Sequence, residues 1–97
     1  MDVNAFRDSL PGAAPPAGLA VPLQALWQAA KNDWEGAHGL VQDEASDEAA
    51  WVHAYLHRVE GDLGNAAYWY RRAGKPVAKG PVDEEWAAIA AALLGST

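Results

Sequence analysis

The residues best suited to chemistry are two histidines and an acid within one segment. His53 and His57 are four residues apart and Glu60 follows, giving the pattern H-x-x-x-H-x-x-E. On a helix this spacing places the side chains on one face, where two imidazoles can share a metal ion or act as acid and base. His38 or a carboxylate could supply a third ligand. Spacing alone does not establish such a site, so we expect no cofactor and no catalytic residue, with a small metal-dependent or acid/base enzyme as the alternative.

A second candidate group combines two aromatic rings with a guanidinium. Trp51, Tyr55 and Arg58 form one stripe of the same segment, and together they could hold an apolar side chain and a carboxylate of a bound peptide. The alternative is structural. In that case the two rings pack against the preceding helices or the amino-terminal arm, and Arg58 pairs with Asp43 or Glu44.

A third group lies further along the chain, where Tyr68 is followed by Arg71 and Arg72. Paired arginines beside a tyrosine suit recognition of a carboxylate or phosphate, although a solvated charged surface has the same composition. Nucleophilic catalysis is not indicated. The chain has no cysteine, its three serines (Ser9, Ser46 and Ser96) have no histidine nearby in sequence, and no glycine-rich phosphate loop is present.

Charge restricts the class of partner. The formal net charge is −6, yet residues 58–80 carry five basic against two acidic residues, which gives +3 for that stretch. A basic footprint this small in an acidic chain does not favour nucleic acid, but it could attract an acidic protein or peptide. With no secretion signal and no apolar run of membrane-spanning length, we expect a cytoplasmic protein that does not contact membranes.

The elements that must position these groups are helices. Residues 1–21 are rich in proline, glycine and alanine and are expected to form an extended arm, with at most a short helical turn at residues 4–10. We expect this arm to be ordered in part, because its apolar side chains can pin it onto the body: Phe6, Leu10, Leu19 and Val21. Apolar periodicity and capping residues predict five helices within a single domain, residues 22–97. They are expected at residues 22–31, 34–42, 47–60, 63–73 and 83–95. Tight Asn32-Asp33 and Gly61-Asp62 turns would fold the first four into two helical hairpins.

The second hairpin resembles the tetratricopeptide repeat. The resemblance rests on small residues where two helices touch, an aromatic between them, and the turn that joins them: Ala54, Gly61, Asp62, Ala66, Tyr70, Ala73 and Pro76. The first hairpin repeats it weakly at an offset of 29, with Ala25, Asp33 and Ala37 over Ala54, Asp62 and Ala66, whereas the usual repeat has 34 residues. The segments around Trp51 and Trp69 also resemble a group of small uncharacterised bacterial proteins.

This resemblance implies an all-α protein of two antiparallel hairpins with the last helix as a cap. It also implies that Trp51, Tyr55 and Arg58 face a groove, so that the protein is a non-enzymatic module for a protein or peptide partner. His53 and His57 would then lie between helices as neutral imidazoles bonded to a neighbour such as Tyr70. Two repeats are few for a solenoid, so a homodimer is a further possibility.

Overall fold

The computed structural model describes residues 1–95, which form six α-helices and no β-strand. Residues 96 and 97, including Ser96, lie outside the described range. The helices are α1 (Val3–Asp8), α2 (Val21–Ala30), α3 (Trp34–Val41), α4 (Asp47–Val59), α5 (Leu63–Ala73) and α6 (Val82–Gly95). The all-α class is therefore confirmed, and the one helix beyond the five expected is α1.

Side-chain caps set where most of these helices begin. Asp33, Ser46 and Asp62 each accept a hydrogen bond from the backbone amide three residues later, as Asp2 does for α1. These bonds satisfy amide groups that have no partner within the helix. The caps predicted for α3, α4 and α5 are thus present.

Two left-handed residues end α2 and α4 and reverse the chain. Asn32 has φ 64° and Gly61 has φ 88°, and each directly precedes the aspartate that caps the next helix. Asparagine and glycine tolerate this conformation better than other residues. Helix α2 consequently packs on α3, and α4 packs on α5.

Helix α6 closes the molecule by packing on α4, α2 and α1. The side chains of Trp27, Leu56 and Ile89 are at most 1% exposed at the centre of this core. Indole groups connect the layers, since Trp86 Nε1 donates to the carbonyl of Leu26 at 2.8 Å. The core therefore draws on both ends of the described chain.

The amino-terminal residues belong to this core more fully than the expected extended arm. Phe6 on α1 is completely buried and stacks on Trp86 with 5.6 Å between ring centroids. Trp27 Nε1 donates to Ser9 Oγ at 3.0 Å, and Ser9 Oγ in turn donates to the Phe6 carbonyl. Burial of one large aromatic ring is enough to hold the short helix α1 in place. Within residues 1–95, no helix is long and apolar enough to span a bilayer.

Candidate metal centre

All three histidines of the chain meet at one place. His38 lies on α3, and His53 and His57 lie one turn apart on α4. One ring nitrogen from each lies within 4.8 Å of the other two. A hydrogen bond joins the Nε2 atoms of His38 and His53 at 3.0 Å, so one of these two nitrogens donates a proton to the other. We refer to these three residues as the histidine cluster.

Helix α3 is held over α4 by a tryptophan that also touches the cluster. Trp34 stacks on His38 at 4.8 Å between centroids, and its Nε1 donates to the Leu56 carbonyl on α4 at 2.7 Å. The Asp33 cap fixes where α3 begins, and His38 follows Trp34 by four residues, about one turn. Local capping and one indole hydrogen bond therefore place His38 against His53 and His57.

Glu60 orients the imidazole of His57. Oε1 of Glu60 is 2.6 Å from Nδ1 of His57. A carboxylate can only accept, so His57 donates from Nδ1, and Nε2 is the nitrogen that is left to face the other two histidines. A carboxylate bonded to the outer nitrogen of a histidine is the usual second partner of a metal ligand, because it fixes the tautomer and raises the basicity of the ring.

His53 is the most enclosed member of the cluster. Its ring lies between Trp69 at 3.9 Å and His57 at 4.8 Å, and the residue is 4% exposed. Its Nδ1 is buried and is the one such side-chain atom within residues 1–95 that has no hydrogen-bond partner. An unpaired buried polar atom costs about 1–3 kcal/mol, so its persistence calls for an explanation.

Burial favours the uncharged forms of His38 and His53. Burial lowers the pKa of His53 to about 4, with further lowering by His38 and His57. Burial also lowers the pKa of His38, and His57 adds to that effect while Glu60 opposes it. Neutral rings carry the free lone pairs that metal ions require.

The arrangement fits a first-row transition metal. Nitrogen ligands about 2.0–2.1 Å from a tetrahedral zinc ion lie about 3.3 Å from one another. The 3.0 Å separation in the His38–His53 pair needs only a small opening to reach that value. Imidazole suits zinc, copper and nickel, whereas calcium and magnesium prefer oxygen ligands.

The expected stripe of Trp51, Tyr55 and Arg58 does not form an open surface. Tyr55 is 6% exposed within the core, and burial together with Asp83 and Glu85 raises its pKa to about 12. Arg58 Nη1 donates to Glu85 Oε1 at 2.9 Å, so it pairs with α6 and not with Asp43 or Glu44. Helix α6 covers the two residues that the sequence placed in a groove.

Trp51 occupies an intermediate position at the margin of this covered stripe. It is partly buried, and the Lys75 ammonium lies over its ring at 4.3 Å from the centroid. A cation over an aromatic face is attracted by the ring quadrupole. Trp51 is therefore neither in an open groove nor fully enclosed, and the Lys75 ammonium covers one face of its ring.

The arginines predicted on α5 are exposed. Tyr68 is 43% exposed, and Arg72 lies over the rings of Tyr68 and Trp69 at 5.9 and 5.2 Å and donates from Nη1 to Tyr68 Oη. Arg71 is exposed as well. We call Tyr68, Arg71 and Arg72 the α5 edge. It adjoins the histidine cluster through Trp69, which stacks on His53.

Three residues that shape these sites were not identified from the sequence. Trp69 and Trp34 cover the cluster, and Glu85 joins Arg58 and Tyr70. The Tyr70 hydroxyl donates to Glu85, so Tyr70 is not the neighbour that a histidine bonds; His53 bonds His38 and His57 bonds Glu60 instead. A signal for Glu85 existed, because it precedes Ile89 by four residues and thus lies on the apolar face of α6.

No protein-family model, curated protein or solved structure matches this chain.

Proposed function

We propose that the protein binds one divalent transition-metal ion through His38, His53 and His57. The observation that carries the proposal is the convergence of every histidine in the chain onto one point, although they come from two helices. Solvated surface histidines have no reason to gather in this way. Three imidazoles whose ring nitrogens lie within 4.8 Å of one another are a donor set of the kind that a nitrogen-rich metal site uses.

The surroundings of the cluster favour the same function. Glu60 bonds Nδ1 of His57 and leaves Nε2 as the nitrogen that can bind an ion, and Trp34 and Trp69 stack on His38 and His53. Rings that are already oriented lose little rotational freedom on binding an ion. Because the ligands are nitrogens, we expect zinc, nickel and copper to bind and magnesium and calcium not to bind.

The ion would act first on the fold. His38 belongs to the α2–α3 pair, and His53 and His57 belong to the α4–α5 pair. An ion bound to all three side chains cross-links the two pairs and binds only the folded chain. At free metal a hundredfold above Kd, such binding stabilises the folded state by about 2.7 kcal/mol.

The test uses chelator-treated protein titrated with Zn²⁺, Ni²⁺ or Mg²⁺ under calorimetry, with thermal unfolding in parallel. We expect one Zn²⁺ or Ni²⁺ per chain and a rise in Tm of several degrees, with no response to Mg²⁺. His38→Asn should weaken Zn²⁺ binding at least tenfold. The control Asp43→Asn removes an exposed acid outside the cluster and should leave binding unchanged.

Two outcomes would overturn the proposal. One is the absence of any Zn²⁺ or Ni²⁺ binding by correctly folded protein. The other is equal Zn²⁺ affinity in the wild type and in His38→Asn, which would place the ion elsewhere, for example at the exposed acids Glu60 and Asp62. Circular dichroism on each variant establishes that it is folded before its affinity is compared.

A second candidate function is binding of an acidic peptide at the α5 edge. It retains Trp51, Tyr68, Arg71 and Arg72 from the predicted interaction surface, without the groove residues Tyr55 and Arg58 that α6 covers. One observation favours it. Within residues 1–95 no carboxylate lies within ion-pair distance of the cations along this part of the surface, namely Arg71, Arg72, Lys75 and Lys79. In a chain of net charge −6 this concentration of unpaired cations favours an anionic partner.

The peptide proposal is tested with a dye-labelled peptide rich in aspartate and glutamate, followed by fluorescence anisotropy at low salt. The double variant Arg71→Gln/Arg72→Gln should reduce affinity at least tenfold, because each guanidinium can bind a carboxylate through two hydrogen bonds. Lys31→Gln removes a cation outside the edge and serves as the charge control, with circular dichroism to verify its fold because Lys31 also donates to the Leu10 and Gly12 carbonyls. Equal affinity in the double variant and the wild type would exclude the α5 edge as the docking site.

A further inference from the structure

We infer that the ion held by the histidine cluster keeps one coordination position open to solvent, and that this position binds a small anion. This inference rests on the proposed metal function and specifies the ligand that the site would accept. It follows from the number of donors, from the charge of those donors and from the exposure of the cluster.

The donor count leaves one position unfilled. Within residues 1–95 the histidine cluster is a group of three, and no further histidine, cysteine, aspartate or glutamate lies within 4.8 Å of all three ligand atoms. Glu60 is grouped with His57 and Asp62 only, and its Oε1 already accepts the Nδ1 proton of His57 at 2.6 Å. Zinc-like ions take four ligands in proteins, and a site with three protein ligands completes its shell from solution.

Exposure allows solvent to reach that position. His38 is half-buried, whereas His53 and His57 are 4% and 6% exposed, so the cluster meets solvent on the side of α3. The Glu60 side chain, at 37% exposed, borders the same residues. Trp69 covers the opposite side by stacking on His53. An incoming ligand would therefore approach along the half-buried His38, past the Trp34 ring that stacks on it at 4.8 Å.

The charge of the ligand set selects an anion. Three neutral imidazoles leave the full charge of a divalent ion uncompensated by its own ligands. Coulomb attraction at bonding distance then exceeds the repulsion from Glu60, which is separated from the ion by the whole ring of His57. The small anions azide and thiocyanate are suitable probes, because each can occupy one position without a further protein contact.

The experiment uses Co²⁺ as a spectroscopic substitute for Zn²⁺ in a non-coordinating buffer. Co²⁺ loading of chelator-treated protein should give visible absorption bands of tetrahedral intensity. Titration with azide should shift these bands in a saturable manner with one azide per ion. The Co²⁺ bound should remain constant during the titration, as measured by metal analysis after gel filtration.

A matched pair of variants identifies the occupant of the fourth position. In Glu60→Gln the response to azide should persist, with weaker Co²⁺ binding because His57 loses its carboxylate partner. Glu44→Gln is the control, since it changes an exposed acid outside the cluster. If wild-type bands ignore azide and those of Glu60→Gln respond, Glu60 is the fourth ligand and the inference is wrong.

The remaining outcomes distinguish failure of the open coordination position from failure of metal binding itself. Bound Co²⁺ with bands that ignore azide in every variant shows a closed site, which overturns the open position and leaves metal binding intact. Failure of folded protein to bind Co²⁺ or Zn²⁺ overturns both. Azide that strips the metal without an intermediate spectrum also counts against the open position.

Discussion

His53 has a buried ring nitrogen without a hydrogen-bond partner, and it is also one of the three proposed metal ligands. Its ring is enclosed by Trp69 and His57, and its Nδ1 has no hydrogen-bond partner within residues 1–95. Protonation would bring a charge into this apolar setting beside two more imidazoles. The folded protein therefore holds His53 neutral, and this requirement links stability to pH.

Stability of the metal-free protein should fall on acidification between pH 6.5 and pH 4. Unfolded His53 has a pKa near 6.5, whereas folding lowers it to about 4. Between these values the unfolded chain binds more protons, so stability is complete above pH 6.5 and about 3 kcal/mol is lost by pH 4. Urea unfolding at pH 7, 6, 5 and 4 measures the slope.

Comparison with the variant His53→Gln isolates the contribution of His53 to the pH dependence of stability. His38 has a lowered pKa of the same sign, and carboxylates add their own titration at the acid end of the range, so the wild-type slope is a sum. The difference between wild type and His53→Gln removes those shared contributions. Identical slopes in the two proteins would contradict the assignment of the pH effect to His53.

At the scale of elements, a buried ion pair joins α6 to α4. Arg58 Nη1 bonds Glu85 Oε1 at 2.9 Å, and the side chains are 13% and 6% exposed. The Tyr70 hydroxyl of α5 donates to the other carboxylate oxygen, and burial and this bond raise the pKa of Tyr70 well above its ordinary value. Arg58 also donates to the Gly80 carbonyl, which holds the linker before α6. Three elements are thus fixed by one carboxylate.

Removal of one partner from this pair should cost far more than removal of both. Arg58→Met leaves a buried carboxylate without its cation and should destabilise the fold by about 3–5 kcal/mol. In Arg58→Met/Glu85→Leu the charge is gone, and we expect a substantial part of that loss to be recovered. Urea unfolding followed by tryptophan fluorescence gives both values. If the free energy of unfolding of Arg58→Met lies within about 1 kcal/mol of wild type, the ion pair does not stabilise the fold as we expect.

The left-handed turn at Gly61 offers a second test at this scale. Gly61 has φ 88°, and a methyl group there would meet no atom within 4 Å, so Gly61→Ala should cost about 1–2 kcal/mol through backbone strain alone. Gly39 lies inside α3 with ordinary φ and equally open surroundings. Gly39→Ala should therefore stabilise the protein by up to about 1 kcal/mol. Thermal denaturation measures Tm for both variants. A higher Tm for Gly61→Ala than for Gly39→Ala would contradict the role assigned to the left-handed conformation of Gly61.

Local signals in the sequence predict where each helix begins and ends better than they predict which helices pack together. Asp33 and Asp62 predict helix starts because capping depends on three neighbouring residues, and both turns lie where they were expected. Which stripe of α4 is covered depends on α6, which follows after a linker with no directional signal. Tyr55 and Arg58 were consequently assigned to a surface that α6 occupies.

The site was predictable in part for the same reason. The spacing of His53 and His57 on one face follows from helical geometry, and Glu60 belongs to the same turn. The approach of His38 depends on the angle between α3 and α4, which the Trp34 hydrogen bond to Leu56 determines. Neither this bond nor the Trp69 stack follows from periodicity, because both depend on which helices become neighbours.

At the scale of the whole molecule, the amino-terminal helix completes the core. Phe6 is fully buried against Trp86, and the Arg7 guanidinium lies 5.7 Å from the same indole ring. The short helix α1 has too few residues to be stable alone, so its structure depends on this contact. Phe6 therefore ties the proline- and glycine-rich arm to the folded unit.

Truncation at this contact should lower the stability of the entire protein. Phe6→Ala removes a buried ring and should cost about 3–5 kcal/mol by loss of transfer energy and creation of a cavity. Leu63→Ala is the control because Leu63 is 66% exposed, and we expect a change within about 0.5 kcal/mol. Guanidinium unfolding measures both variants. Equal midpoints for Phe6→Ala and wild type would show that α1 contributes nothing to the cooperative unit.

The bond from Trp86 Nε1 to the Leu26 carbonyl joins positions 60 residues apart, whereas α2–α3 and α4–α5 contacts join neighbours in sequence. Loop closure makes distant contacts slower to form than local ones. The two helical pairs should therefore be present in the folding transition state while the Phe6–Trp86 contact is still absent. Substitutions at Phe6 would then accelerate unfolding and leave the folding rate nearly unchanged.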